Sequence, residues 1–350
     1  MKHEFNIAGR RIGPGHPVYI VAELSANHGG NYSRAVKTIR AMKTAGADAV
    51  KIQTYTADTL TIASDNKFFR LGGGTLWDGQ MLHELYQEAA MPWEWQPKLQ
   101  KIARKLGLDF FSTPFDATAV DFLEKLNMPA HKIASFEIVD IPLIKKIAAT
   151  GKPVILSTGM ATVAEIQEAL AAARRAGTEQ IALLKCTSAY PAKPEEMNLR
   201  TLPDMAKRFG VPVGLSDHTM GIAVPVAAVA LDACIVEKHF TLSRKFTGPD
   251  SAFSLEPDEF KEMVAAIRVA EKALGKVSYK ISAGETKSRK FRRSLFVVEN
   301  VKAGEKFTEQ NLRSIRPGDG LHTRYLDKVL GKKAGRNVKR GTPMSWNMVR

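Results

Sequence analysis

Between Val18 and about Thr241 one unit recurs eight times: a short β-branched run, a polar loop, an amphipathic stretch, and a Gly or Pro stop. The runs are VYIVAEL from Val18, AVKIQT from Ala49, DFFSTPF from Asp109, HKIASFEI from His131, PVILSTG from Pro153, IALLKCT from Ile181, VPVGLSDH from Val211 and ACIVEKHFT from Ala233. Nearly continuous apolar strands separated by helices form a parallel sheet covered on both faces. Eight βα units in about 270 residues therefore predict an α/β fold closed into a (β/α)8 TIM barrel. A doubly wound sheet is the competing architecture. It normally carries a glycine-rich phosphate turn after its first strand, and NHGGN after Leu24 lacks the G-x-G-x-x-G spacing.

Local signals place the connections. Thr162 followed by Glu165 is a capping-box arrangement that opens a helix running to Arg175 and stopping at Gly177. Residues 55–80, with RLGGGTLWDG, are too long for an ordinary βα loop and predict a functional loop after the second strand. The barrel is expected over 1–275, then a polar, basic linker over 276–293. Beyond it, 294–350 alternates β-prone runs with Gly turns and one short helix. A domain that small has a marginal core of its own, so docking onto the barrel or a partner subunit is expected.

With 44% hydrophobic and 25% charged residues the chain is too balanced to be disordered. No run approaches the roughly 18 apolar residues of a membrane span, and Met1–Arg11 is mixed polar, so a soluble, cytoplasmic protein is expected. Cys186 and Cys234 sit inside apolar runs and read as buried, reduced thiols. The net charge of +15 is concentrated after Gly275, where 19 Lys and Arg face 6 Asp and Glu. Such a surface steers anions, binds nucleic acid, or is a solvated basic face. No helix-turn-helix, zinc-finger or aromatic-plus-basic RNA motif accompanies it, which disfavours nucleic acid.

In a barrel of this type the active site lies where the strands end. The polar groups closing the runs are Glu23 with Asn27 and His28, Lys51 with Gln53, Thr113, Lys132 with Ser135, Ser157, Ser188 with Tyr190, Ser216 with His218, and Lys238 with His239. Taken singly, a strand-end Ser is most often a turn former and a lone His a packing residue; all eight strands ending in reactive groups is harder to explain that way. Lys51 and Lys132 interrupt apolar strands, where an unpaired ammonium costs several kcal/mol, so a bound carboxylate or phosphate is the natural compensation. Salt bridges to Glu23 or Glu137 are the alternative. Ser135, Ser157 and Ser216 add hydroxyl donors suited to a phosphate. His218 and His239 end adjacent strands and form a candidate open divalent-metal site, since structural zinc takes four protein ligands and no CxxC is present.

AELSANHGG, VKIQ, FFSTPFD, HKIASFE, ILSTGM, LLKCTSAYP, GLSDHT, EKHFT, GPDSAFS and RPGDGL resemble the sialic acid (nonulosonic acid) synthase family along essentially the whole chain. GGGTLWDG with LYQEAAMPWEW, and FRRSLFVV with RGTPMSW, are most similar to its pseudaminic-acid-forming branch. The resemblance implies a barrel followed by an antifreeze-like (SAF, β-clip) domain that inserts into the partner's active site in a swapped homodimer. It implies a transferase that condenses phosphoenolpyruvate with an amino-sugar aldehyde. It puts the phosphate on Lys132, Ser135, Ser157 and Ser216, and the carboxylate on Lys51 and Thr113. The metal, Mn²⁺ or else Mg²⁺ or Co²⁺, falls on His218 and His239. Glu23, Gln53, Tyr190 and Asp250 face the sugar, Glu23 as the expected base, and Arg316 reaches over from the other subunit. Ser188 stands where N-acetylneuraminate-forming members have Asn, a departure that favours a sugar other than a mannosamine. The alternatives are N-acetylneuraminate or legionaminate synthesis by the same chemistry, or a nucleic-acid-binding protein using the basic tail.

Overall fold

The computed structural model describes residues 4–74, 76–246 and 248–350, and the chain divides into two compact units, residues 1–275 and 276–350. The first unit opens with a hairpin of β1 (Phe5–Ile7) and β2 (Arg10–Ile12). The eight expected runs follow as parallel strands: β3 (Tyr19–Glu23), β4 (Ala49–Thr54), β5 (Asp109–Pro114), β6 (His131–Ile133), β7 (Val154–Ser157), β8 (Ile181–Cys186), β9 (Val213–Asp217) and β10 (Ile235–His239). β10 pairs with β3, so the sheet closes on itself into a barrel.

Period-two alternation sorts every strand residue to one of two environments. Ile20, Val50, Phe110, Leu156, Leu183, Leu215 and Val236 point outward into two apolar layers beneath the helices. Tyr19, Val21, Ala49, Phe111, Ile155, Leu184 and Ile235 point inward and pack with Phe5, Ile7 and Ile12 of the hairpin. The hairpin therefore plugs the end of the barrel where the strands begin. At Gly214 a side chain would meet the Ile235 carbonyl and Leu184, so the strand there accepts only glycine.

Helix starts follow the capping chemistry. Asn31, Asp116 and Asp140 accept backbone N–H groups at the heads of Tyr32–Thr44, Ala117–Lys125 and Ile141–Ala148. Thr162 and Glu165 form the expected capping box on Val163–Ala176, and Gly177 ends it. Cys186 and Cys234 are buried and unbridged. Among the described residues no helix is long and apolar enough to cross a membrane.

The second unit holds an antiparallel pair, β11 (Ser294–Val297) and β12 (Leu312–Ile315), with isolated bridges such as Val301 to Val338 and Ala334 to Val349. Leu295, Val297, Phe307, Leu312, Val329 and Met344 belong to its core. Residues 276–293, read as a linker, contain a short helix, Ala283–Ser288, started by a Ser282–Glu285 capping box. Their surroundings are exposed, which is why hydrophobic periodicity gave no sign of a helix there.

Candidate active site

The inward parity that buries apolar side chains low in the barrel delivers ionic ones near its open end. Glu23 on β3 stands level with Lys51 on β4 on one side and His239 on β10 on the other. Lys51 Nζ lies 2.5 Å from Glu23 Oε2 and 3.7 Å from Glu237 Oε1, and donates to Thr113 Oγ1 at 3.3 Å. Lys132 Nζ donates to Ser157 Oγ at 2.7 Å and lies 3.8 Å from Glu237 Oε1, while Ser216 Oγ donates to the same carboxylate at 3.1 Å. Neither lysine is unpaired, as the alternative sequence reading allowed for Lys51. Glu237 is the hub: one carboxylate two residues below His239 holds two ammonium groups and a hydroxyl around it.

This cluster is buried, and its acidity is set by burial working against the ion pairs. Loss of water pushes the Glu23 carboxyl up to about 7, against the pull of Lys51 and with the help of the Glu237 charge. Burial also lowers Lys132, offset in part by Glu237. For Lys51 the burial penalty is outweighed by Glu23 and Glu237, and its ammonium is held above the usual lysine range. Several polar atoms are left without a hydrogen-bond partner among the described residues: Glu237 Oε2, Glu137 Oε2, His239 Nδ1, and Glu23 Oε2, which is close to Lys51 but poorly aligned with it. Buried polar atoms are normally satisfied, so unpartnered atoms gathered around the two lysines mark a candidate place for a ligand.

The hydroxyl groups form one wall. Gly159 N–H donates to Ser135 Oγ at 3.1 Å, and a Cβ at Gly159 would come within 2.7 Å of that oxygen and closer still to Ser188 Oγ. Glycine there lets a backbone donor and two hydroxyls crowd beside Lys132 and Ser157. Gln53 Nε2 donates to Ser25 Oγ at 2.9 Å on the opposite wall, and Asp250 Oδ2 accepts from Ala26 N at 3.1 Å. Burial raises the Asp250 carboxyl, with Ser25, Ala26, His218 and Lys51 opposing the shift.

His218 and His239 lie with ring centroids 5.4 Å apart, each against Phe253. His218 Nδ1 is 3.0 Å from the Thr187 carbonyl, which can only accept, so Nδ1 carries a hydrogen and Nε2 is the nitrogen left for a ligand. Burial and the neighbouring cations hold His239 well below the ordinary histidine range, hence neutral. Against its burial, Cys186, the Thr187 carbonyl and Asp217 raise the His218 ring above the ordinary histidine range, so a divalent ion held here by the two rings would displace a proton from His218 Nε2, with water and substrate completing its shell. Among the described residues no group of three or more His, Cys, Asp or Glu forms a closed site.

The structure separates the remaining candidates. Tyr190 stacks at 4.5 Å from His218 and 5.1 Å from Phe253. Lys238 does not converge with His239: one residue along the strand it points outward and pairs with Asp217 at 2.5 Å. Nor does His28, which packs edge-on against Trp95 and is driven down to about 4 by burial. Asn27 is spent on the Phe240 carbonyl and Ser254. Arg316 lies in the second unit, exposed just past β12. Three groups escaped the sequence reading as site members. Glu237 and Cys186 share the inward parity of His239 and Leu184, a signal that was available. The Cys186 thiol sits 3.8 Å from His218 Nδ1; despite its burial, contact with that ring brings it down to about 7. Glu137, raised to about 7 by burial against the pull of Lys132, follows β6 in a short 3-10 turn where no periodicity applies.

A closed eight-stranded barrel with a buried ionic cluster below a pair of histidines, at the end where the strands finish, has the build of a barrel enzyme. The chain belongs to the NeuB family, which it matches over residues 38–279, and carries a SAF domain over residues 292–350. It is 47% identical over 330 residues to the pseudaminic acid synthase of Helicobacter pylori, covering 94% of this chain and 97% of that one. It is 40% identical over 323 residues to the N,N'-diacetyllegionaminic acid synthase of Campylobacter jejuni, covering 91% and 96%. Among solved structures, an N-acetylneuraminic acid synthetase from Leptospira borgpetersenii superposes with a TM-score of 0.73 at 31% identity, covering 82% of this chain and 95% of that one.

Proposed function

We propose that this chain is a pseudaminic acid synthase: it condenses phosphoenolpyruvate with 2,4-diacetamido-2,4,6-trideoxy-L-altrose, giving pseudaminic acid and inorganic phosphate. The observation that carries the reading is Glu237 holding Lys51 and Lys132 apart inside the barrel. Two cations at a fixed separation match a small molecule with a carboxylate at one end and a phosphate at the other. Lys132 with Ser135, Ser157 and Ser216 takes the phosphate; Lys51 with Thr113 takes the carboxylate.

Above them, Gln53, Tyr190 and Asp250 orient the open-chain sugar so that its aldehyde carbon meets C3 of phosphoenolpyruvate. A divalent ion, Mn²⁺ by preference, held by His218 and His239 would supply Lewis acidity to the aldehyde oxygen. The new C–C bond turns the aldehyde oxygen into an alkoxide, which takes up a proton, and leaves C2 cationic; water adds at C2 and gives up a proton. Glu23, close to neutrality in its affinity for protons, is the group placed to take it. The resulting tetrahedral centre expels phosphate by C–O cleavage while Lys132 stabilises the departing charge. Arg316 of the SAF domain completes the site of a partner subunit in a swapped homodimer. The overall identity to pseudaminic acid synthases favours the altro sugar over the legionaminate isomer.

The test is incubation with phosphoenolpyruvate and, separately, each of several diacetamido-trideoxyhexoses and N-acetylmannosamine. Released phosphate and product mass are measured together. Turnover is expected with the altro isomer first; preference for N-acetylmannosamine would sink the reading.

A further inference from the structure

The mouth of the barrel carries an apolar recess for which the chemistry above has no use. After β4, residues 71–74 and 76–80 form a tight tip, with Leu71 N bonded to Gln80 O at 2.8 Å and Gly74 N to Asp78 Oδ2 at 2.8 Å. The tip carries Trp77, whose Nε1 donates to the Pro249 carbonyl at 3.2 Å and whose ring lies 5.8 Å from that of Tyr190. Tyr190 therefore divides two compartments: His218 is on one side and the tip on the other. On the tip side opens a cavity of about 490 Å³, lined chiefly by Leu76, Tyr190, Pro191, Ala192 and Met220, with Lys193 its one charged side chain among the described residues. Leu76 and Met220 are 52% and 44% exposed, large apolar side chains left facing water at a polar mouth. A concave, mostly apolar surface next to convergent polar groups is the usual form of a ligand subsite.

We propose that this recess is an acyl-binding subsite that takes the methyl end of the acetamido group on C4 of the sugar; the inference rests on the proposed function. The aldehyde carbon is fixed near His218 and His239. A substituent on the adjacent C2 stays within the polar compartment of Gln53 and Asp250. C4 lies further along the sugar chain, and a group there passes the Tyr190 ring toward Leu76 and Met220. An acetyl methyl gains from such packing, whereas a free amine, charged at neutral pH, loses solvation. The subsite thus reads whether a second acyl group is present.

The experiment compares full-length wild type, Leu76→Ala, Met220→Ala and the double variant, each with phosphoenolpyruvate and the sugar carrying a C4 acetamido or a C4 amino group. Wild type is expected to prefer the acetamido sugar. Each truncation strips apolar surface from the recess wall and should raise the KM for that sugar about fourfold; the double variant should largely abolish the preference, and the KM for phosphoenolpyruvate should hold. Equal acyl preference in the wild type and the double variant overturns the subsite, as does a KM change that follows altered oligomeric state in sedimentation. Product formation by the wild type without regard to the C4 group removes the subsite and leaves the parent function standing. No product from any sugar removes both.

Discussion

Two sets of buried charges lie back to back across strand β10, and they are built on opposite terms. Outside the barrel wall, Lys238 and Asp217 are 2.5 Å apart; Lys238 also donates to the Thr219 carbonyl, and Asp217 accepts from Thr219 N at 2.9 Å and Thr219 Oγ1 at 3.1 Å. Every lone pair and proton there that matters has a partner, and the product is a fixed turn around His218. Inside, Glu23, Lys51, Glu237 and Lys132 are equally buried, yet Glu237 Oε2 and His239 Nδ1 have no hydrogen-bond partner among the described residues. Burial alone therefore does not separate structural from functional charge; the state of satisfaction does.

The contrast breaks most visibly at the histidines. His239→Ala, or excess chelator on the unaltered chain, should cut turnover on the order of 10³-fold, the several kcal/mol a Lewis acid supplies, with circular dichroism unchanged. Full phosphate release in chelator would remove the metal from the scheme. Next in size is a crossed pair. Lys238→Met leaves Asp217 buried and unpaired and should destabilise by about 3–5 kcal/mol, read from denaturant midpoints. Lys132→Met, with Glu237 still held by Lys51 and Ser216, should unfold close to wild type but raise the KM for phosphoenolpyruvate by an amount worth about 2 kcal/mol. If both substitutions act on stability alone, the interior set is architecture too. The smallest effect is a pH limb. Because the folded-state Glu23 carboxyl is raised to about 7, its base form accumulates as pH rises through that value, and kcat should climb across it. Glu23→Gln should lower kcat and flatten that limb; a limb that survives belongs to another group, with Glu137 the first to examine.

The barrel was legible because its evidence is periodic. Eight apolar runs, a capping box at Thr162 and a stop at Gly177 are each local statements that agree with one topology. The strand-end rule likewise put Lys51, Lys132, Ser157, Ser216 and His239 in one neighbourhood, because alternation carries them all inward. Applied without parity the same rule admitted Lys238, one residue out of phase, and passed over Glu237, one residue in phase. His28 shows the other limit: it follows the strand in a 3-10 turn, where no alternation governs direction, and only packing against Trp95 decides. Arg316 lies exposed in the second unit, and the proposed reach of that residue into a partner's site is a matter of assembly that no local pattern encodes.

The hairpin of Phe5, Ile7 and Ile12 packs with the inward side chains of the strands and closes the barrel's lower end. Everything must enter and depart by one opening, and on the proposed chemistry the three-carbon acid occupies the floor while the sugar occupies the threshold. A sugar arriving first would bar the way to its own co-substrate. Phosphate, liberated at the bottom, would wait until the nine-carbon product had cleared the passage. On that chemistry the sequence of traffic, a kinetic property, follows from apolar packing at the closed end, which touches neither reactant.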